Sequence, residues 1–214
     1  GAASELEDSW YWAPMGDRYI KARGQVHPVY DSKTKMLFPR MWSSDERHRD
    51  FYDWYVYDGA SRPRNVNVDG KSYEVPTMGQ NLKYFFGYQL NWMYWRYFMW
   101  NFVGRQNDIH SPVPGDPFKG NWESGVGFID RLMLGDQRDA PEALLNNPGK
   151  NHYFFLPLLL GLIGLLFQSF RDKRGAWVTF LLFFMTGIAI VIYLNQPPYQ
   201  VRERDYAYAG SFYE

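Results

Sequence analysis

The chain has 214 residues, 23 of them basic and 23 acidic, for a formal net charge of zero; no global basic field points to nucleic acid as a partner. Cysteine is absent, which excludes disulfides and thiolate metal sites. Aromatic residues make up 20% of the chain, with 9 Trp and 17 Tyr, against a mean hydropathy of −0.46: rings in such excess suit a membrane–water boundary, but the chain is not apolar throughout.

The first ten residues, GAASELEDSW, hold no basic stretch followed by an apolar one, so they do not read as a signal peptide. Residues 1–83 are polar and broken by Pro14, Gly16, Gly24, Pro28, Pro39, Gly59, Pro63, Gly70 and Pro76, which argues against long helices. An irregular region with little β is expected there. Two local elements stand out. Residues 67–75, with Asp69-Gly70 at the turn, read as a small hairpin. Ser43–Tyr57 reads as a short helix capped by Ser44, with Asp45 and Glu46 in its first turn.

Residues 84–102, YFFGYQLNWMYWRYFMWNF, contain eleven rings in nineteen positions. Helical spacing aligns Gln89 with Arg96 (i, i+7), and Lys83 with Asn101 and Arg105 on another line, with rings almost everywhere between. A charge at the bilayer centre is costly, so a spanning helix is disfavoured. Two readings remain open: a helix over 84–104 lying at a membrane interface or against spanning helices, and the core helix of a soluble domain. Residues 105–152 read as loop, with a helical turn over Asp139–Leu145.

Two charge-free runs follow, 153–170 and 176–194, separated by Arg171-Asp172-Lys173-Arg174-Gly175. At helical rise, 18 or 19 residues cover about 27–28 Å, close to the hydrocarbon thickness of a bilayer. A transmembrane helical hairpin over 153–194 is the expectation. Pro157 falls in its first turns, where a missing N–H does least harm, and Gly161, Gly164 and Gly187 permit close helix approach. The basic connector favours a cytoplasmic tip, which puts 1–152 and 195–214 on the extracytoplasmic side. The fold class expected is a mainly α membrane protein, with an aromatic interfacial helix beside the hairpin.

Candidate chemistry sits at the hairpin's end. Arg202 and Arg204 alternate with Glu203 and Asp205. Guanidinium forks bind phosphate bidentately, so Arg202 and Arg204 suit a phosphate-bearing lipid with the two acids orienting them; an interfacial salt-bridge network anchoring the helix end is the competing reading. Arg96, Arg105 and Asp108 form a second polar group, the arginines as secondary candidates for the donor phosphate and Asp108 as an orienting acid, either lining a cavity at membrane depth or snorkelling and pairing locally. The four histidines, His27, His48, His110 and His152, lack metal-ligand spacing, so no metal site is expected. His48-Arg49-Asp50 has Tyr55 where a kinase catalytic loop needs Asn, and Gly125–Asp130 lacks the third glycine of a dinucleotide fingerprint. No cofactor is called for.

Taken in order, residues 37–44, 81–86, 89–108, 156–164 and 202–206 (LFPRMWSS, NLKYFF, QLNWMYWRYFMWNFVGRQND, LPLLLGLIG and RERDY) closely resemble a family of large bacterial polytopic membrane proteins long filed as a domain of unknown function. That family is similar to protein O-mannosyltransferases of the GT-C glycosyltransferase class. The resemblance implies a multi-pass enzyme of the cytoplasmic membrane, with membrane lipids, a polyprenyl-linked sugar and an exported acceptor protein as partners. It would move the sugar from its polyprenyl-phosphate carrier to Ser or Thr hydroxyls. It also implies that this chain is an internal stretch, with the essential acid of the class in an earlier loop and a further span after 214. The alternative function is a non-enzymatic, membrane-anchored envelope protein that binds glycan or a protein partner.

Overall fold

A computed structural model of the chain describes residues 3–43, 45–57, 61–68, 70–137 and 140–213. Helix predominates among them, as expected for a mainly α chain. The chain divides into two compact units, Gly1–Leu82 and Lys83–Glu214.

The first unit departs from the expected irregular region. Strands β1 (Ala3–Met15) and β2 (Arg18–Tyr30) form a long antiparallel ribbon. Its two-residue loop starts at Gly16, which takes φ +62°, the left-handed value that a tight hairpin turn asks of its first central residue. Proline does not break the ribbon, because both strands of a two-stranded sheet are edges. A bulge sets Ser9 against Gly24 and Gln25; Ser9 Oγ donates to the Gln25 carbonyl at 2.6 Å, and a side chain at Gly24 would collide with Ser9.

Helix α1 (Glu46–Tyr55) follows. Ser44, expected as its cap, lies outside the described residues. Asp45 is the N-cap, its carboxylate accepting from Arg47 N at 2.9 Å. The Arg47 guanidinium, which donates to the carboxylate at 2.9 Å, and then the Arg47 backbone N–H hold the carboxyl down to about 2. The small hairpin forms as expected, β3 (Arg64–Val68) against β4 (Lys71–Val75). Asp69 itself lies outside the described residues. Val66, Val68 and Val75 are buried together, with Met36 packed on them.

Helix α2 (Met78–Tyr84) opens with a capping box. Gln80 Oε1 accepts from Thr77 N at 2.7 Å while Thr77 Oγ1 accepts from Gln80 N at 3.3 Å, so two orphan donors satisfy each other's residues. Asn81, fully buried, pins the loop before α1: its Oδ1 accepts from Arg40 N and Met41 N at 2.6 and 3.0 Å.

The second unit is built on the aromatic helix. After α2 the coil widens to π-helix over Phe85–Trp95 and tightens again in α3 (Arg96–Phe102). Tyr84, Tyr88, Trp92, Arg96 and Trp100 are buried at every fourth position, and so are Phe85, Gln89, Met93 and Tyr97. In a regular α-helix four residues overshoot a full turn by about 40°, so a strict four-residue stripe would wind off the face. The wider π turns remove that drift. Most of the helix is therefore packed within this unit; Phe86 and Trp95 are its well-exposed rings.

Strand β5 (Gly104–Arg105) pairs with β6 (Asn151–His152), and Arg105 bridges to Trp122. Gly104, at φ +143°, lies where any side chain would strike the carbonyl oxygens of Glu123 and Asn151. Buried amides organise the loop between: Asn107 Oδ1 accepts from Gly120 N at 2.9 Å and its Nδ2 donates to the Phe118 carbonyl at 2.8 Å. Two short helices follow, α4 (Gly127–Leu134) and α5 (Glu142–Leu145); Asp139, expected to begin the second, lies outside the described residues.

The two apolar runs fold as paired helices. Helix α6 covers Leu156–Arg171, with Pro157 in its first turn. The second helix runs Lys173–Leu194, as α7 (Lys173–Phe183), a π segment (Phe184–Ile188) and α8 (Ala189–Leu194). Asp172 caps it, accepting from Arg174 N and Gly175 N. At 22 residues it is about 33 Å long, and among the described residues it is the one helix long and apolar enough to cross a membrane; α6 is apolar but has 16 residues. Of the three glycines expected at helix contacts, Gly187 is one: a Cβ there would meet the Tyr94 hydroxyl at 2.5 Å and Ser211 at 2.9 Å. Gly161 and Gly164 have open space beside them. A 3₁₀ turn (Asp205–Tyr208) and α9 (Ala209–Tyr213) close the chain, with Gly210 set against Thr186.

Candidate functional site

The end of α8 is turned back by Asn195, which adopts a left-handed conformation at φ 42°. Two residues of the aromatic helix catch the turn. Gln89 Nε2 donates to Asn195 Oδ1 at 2.9 Å and to the Gln196 carbonyl at 3.0 Å, and the Tyr84 hydroxyl donates to the same carbonyl at 2.9 Å. The chain then returns along the aromatic helix and lays Glu203 on Arg96 and Tyr97.

Glu203 is the hub. Its Oε2 accepts from Arg96 Nη2 at 2.7 Å and from the Tyr97 hydroxyl. Its Oε1 accepts from Ser111 N at 3.2 Å and lies 3.0 Å from His110 Nδ1. His110 Nε2 is 2.8 Å from the Gln200 carbonyl; a carbonyl only accepts, so Nε2 is the donor. Burial pushes the Glu203 carboxyl up, but the Arg96 charge, the Tyr97 and Ser111 hydrogen bonds and His110 outweigh it, and the net shift is downward. Burial, together with the Glu203 charge, pushes the Tyr97 phenol far above its ordinary range.

Arg96 is buried at 3% exposure and its nitrogens are committed. Nε donates to the Trp92 carbonyl at 3.1 Å, Nη1 to the Gly120 carbonyl at 2.9 Å, and Nη2 to Glu203. Its guanidinium lies 4.1–4.8 Å from the ring centroids of Trp92, Tyr97 and Trp100, in the cation–π range. A buried charge persists only when paired and hydrogen-bonded, and here each guanidinium nitrogen donates and Glu203 supplies the opposite charge. The cavity expected around Arg96 is therefore filled by its own partners.

The other candidates lie around this centre or apart from it. Arg204 N donates to the Tyr97 hydroxyl at 3.3 Å, and the Arg204 side chain is half-buried. Arg202 is exposed, its Nη2 3.3 Å from the Tyr206 hydroxyl. Asp205 is exposed at the start of the 3₁₀ turn. Arg105 stands on the opposite end of α3; its Nε donates to the Asn107 carbonyl at 2.8 Å and it stacks on Trp100 at 3.9 Å. Asp108 is exposed in the following loop, near Asn147 and Gly149. The structure thus joins Glu203 to Arg96 rather than to Arg202.

Tyr97, Tyr208, His110 and Ser111 were not singled out by sequence reasoning. They lie on three separate stretches, and no spacing links them. Around Tyr97, the indole N–H groups of Trp92 and Trp100, Arg204 Nε and the Tyr208 hydroxyl are buried without a hydrogen-bond partner among the described residues. Such a set is rich in donors and suits a ligand that brings oxygen acceptors, such as a phosphate or a sugar.

A second polar group lies further along the same unit. Glu123 Oε2 is 3.1 Å from Lys150 Nζ, and Oε1 is 3.3 Å from His152 Nε2. Glu123 and His152 border an open depression of about 500 Å³ under α4. There Asp130 closes the helix start, accepting from Ser124 N at 2.7 Å and Gly125 N at 2.8 Å.

No curated protein and no solved structure matches the chain. Residues 3–86 match the model of a family described as a family of unknown function, DUF8416, so the match falls on the first unit and the opening of the aromatic helix, ahead of every residue of the Glu203 centre.

Proposed function

We propose that the chain is part of an integral membrane glycosyltransferase. It moves a sugar from a polyprenyl-phosphate donor to Ser or Thr hydroxyls of exported proteins, as members of the GT-C class resembling protein O-mannosyltransferases do. In this reading the protein is a multi-pass resident of the cytoplasmic membrane, with α6 and Lys173–Leu194 as its hairpin and residues 1–152 and 195–214 on the extracytoplasmic side. One observation carries the proposal: a 22-residue apolar helix, with 11% of its most apolar stretch buried, leads within ten residues into Arg202, Glu203 and Arg204. Apolar surface of that extent is unfavourable against water and matches lipid. A cationic, donor-rich segment at its end supports a lipid-borne phosphate as the ligand.

The chemistry refines the roles. Arg202 and Arg204 hold the donor phosphate. Arg96 is a positioning residue, since its nitrogens already donate internally, and Glu203 orients it. Glu203 is a poor general base, because its carboxyl is shifted down, away from neutral pH; the acid or base of the transfer comes from another loop of the protein.

The test uses membranes bearing the full-length protein, radiolabelled polyprenyl-phosphate mannose and a Ser/Thr-rich acceptor peptide. Label should pass to the peptide, and the Arg202→Ala/Arg204→Ala double variant should lose at least tenfold in rate, the equivalent of about 1.4 kcal/mol, with an unchanged melting curve. Undiminished transfer in that variant overturns the phosphate role. Absence of transfer from any polyprenyl-linked sugar, in protein that fractionates with membranes, favours the non-enzymatic envelope reading.

A further inference from the structure

The β1–β2 ribbon carries its own signal. Along a strand successive side chains alternate between faces. With Trp10 opposite Arg23, Trp12 opposite Lys21 and Pro14 opposite Tyr19, one face of the tip half presents Trp10, Trp12 and Tyr19 with Lys21 and Arg23. The other presents Tyr11, Met15 and Ile20 with Arg18. Exposure is high on both: Trp12 68%, Met15 63%, Tyr19 70%. The cations are interleaved with the rings. Lys21 Nζ lies 5.4 Å from the Trp10 ring centroid, and Arg23 reaches back to Asp8 at 2.6 Å. Between residues 10 and 23 the acidic group is Asp17, in the turn, against Arg18, Lys21 and Arg23.

A sugar-binding platform needs one flat aromatic face and a polar surround. This tip is apolar on both faces, and Met15 and Ile20 offer a sugar nothing. A protein groove would likewise cover one face of a ribbon. An environment that surrounds the ribbon and accepts rings, aliphatic side chains and cations together is the interfacial layer of a bilayer. There Trp and Tyr settle, and Lys and Arg meet anionic headgroups. Asp17 keeps the turn out of the hydrocarbon.

We propose that the tip half of this ribbon, residues 10–23, docks at the headgroup level of an anionic lipid membrane. The inference goes beyond the proposed function and shares with it only the premise that the chain meets a bilayer.

The lack of native cysteine makes the test direct. Single-cysteine variants Met15→Cys and Tyr19→Cys of the full chain carry an environment-sensitive fluorophore. They are reconstituted in vesicles of phosphatidylglycerol and phosphatidylcholine containing headgroup-level nitroxide lipid. Phe180→Cys, on the apolar helix, reports bilayer embedding independently, and Lys71→Cys, on the small hairpin, is the water-exposed reference. Quenching at 15 and 19 well above that at 71, lost in vesicles of pure phosphatidylcholine or on Arg18→Glu/Lys21→Glu substitution, is the expected result. Quenching at 180 with none above the reference at 15 and 19 overturns the docking and leaves the proposed function standing. Equal quenching in neutral vesicles overturns the anionic preference. Protection of the labels by soluble oligosaccharide, without lipid quenching, overturns the proposal in favour of a glycan site.

Discussion

The two long helices of the second unit look alike in composition and behave oppositely. Both are rich in large apolar side chains and both contain a π segment. The aromatic helix buries a stripe of rings, a glutamine and an arginine, and the glutamine Nε2 and the arginine donate to partners. The helix Lys173–Leu194 holds no charge after its first turn and leaves most of its surface uncovered. The contrast teaches that ring content does not decide location. What decides it is whether the chain returns to the helix with matching groups. Asn195, Gln196, Glu203 and Tyr208 return to the aromatic helix; the apolar one is approached closely at Gly187, by Tyr94 and α9, and at Gly210 of α9.

The largest expected effect breaks the buried side of this comparison. Arg96→Met strands Glu203 and the Gly120 and Trp92 carbonyls, and should cost about 3–5 kcal/mol, read as a lowered melting temperature in detergent. Phe180→Ala on the apolar helix should change the same melt by no more than about 0.5 kcal/mol. Comparable losses would show that the apolar helix is packed rather than bare.

Next in size is the close approach at Gly187. Gly187→Val forces a side chain into Tyr94 and Ser211 and should cost about 1–3 kcal/mol. Gly161→Val and Gly164→Val, which meet open space, should be neutral in the same assay.

Much of the apolar half was legible beforehand. Charge-free runs, a Pro157 at the helix start and a basic connector are local signals, as is Asp69-Gly70 between alternating residues. The ribbon was not, because Pro14 and Pro28 read as breakers unless a sheet has two edges only. The Glu203 centre was half legible. Its residue types were visible, but Arg96 and Glu203 are 107 positions apart, and their meeting depends on Gln89 and Tyr84 catching the Asn195 turn. The depth of the aromatic helix was hidden by its four-residue spacing, which fits no regular α-helical stripe.

A smaller effect follows from pH. Glu203 ionises more easily folded than unfolded, so its contribution is complete above its ordinary value of 4.5 and is lost as pH falls through the lowered folded value. The stability gap between wild type and Glu203→Gln should therefore close on acidification below pH 4.5. A gap that widens instead would mean the carboxyl is raised by burial.

The smallest effect lies outside both helices, at the cap of α1. Asp45 drops from 3.8 to about 2 in the folded state, so its support fades between those values as pH falls. Hydrogen exchange of the Arg47 amide should accelerate across that window relative to its neighbours. Asp45→Asn, which keeps the acceptor and removes the titration, should flatten the response.

The π segment at Phe85–Trp95 also makes the aromatic helix sensitive to length in a way that point substitution does not reveal. It acts as a phase adjuster between Tyr84, which holds the Gln196 carbonyl, and Arg96, which holds Glu203. Deleting one residue from it would rotate Arg96 and Tyr97 by about 100° relative to Tyr84, so that the segment 195–203 could no longer meet Tyr84 at one end and Arg96 at the other. Substitutions can be absorbed along this stretch, but insertions and deletions cannot, so its residue count is as much a part of the site as any side chain in it.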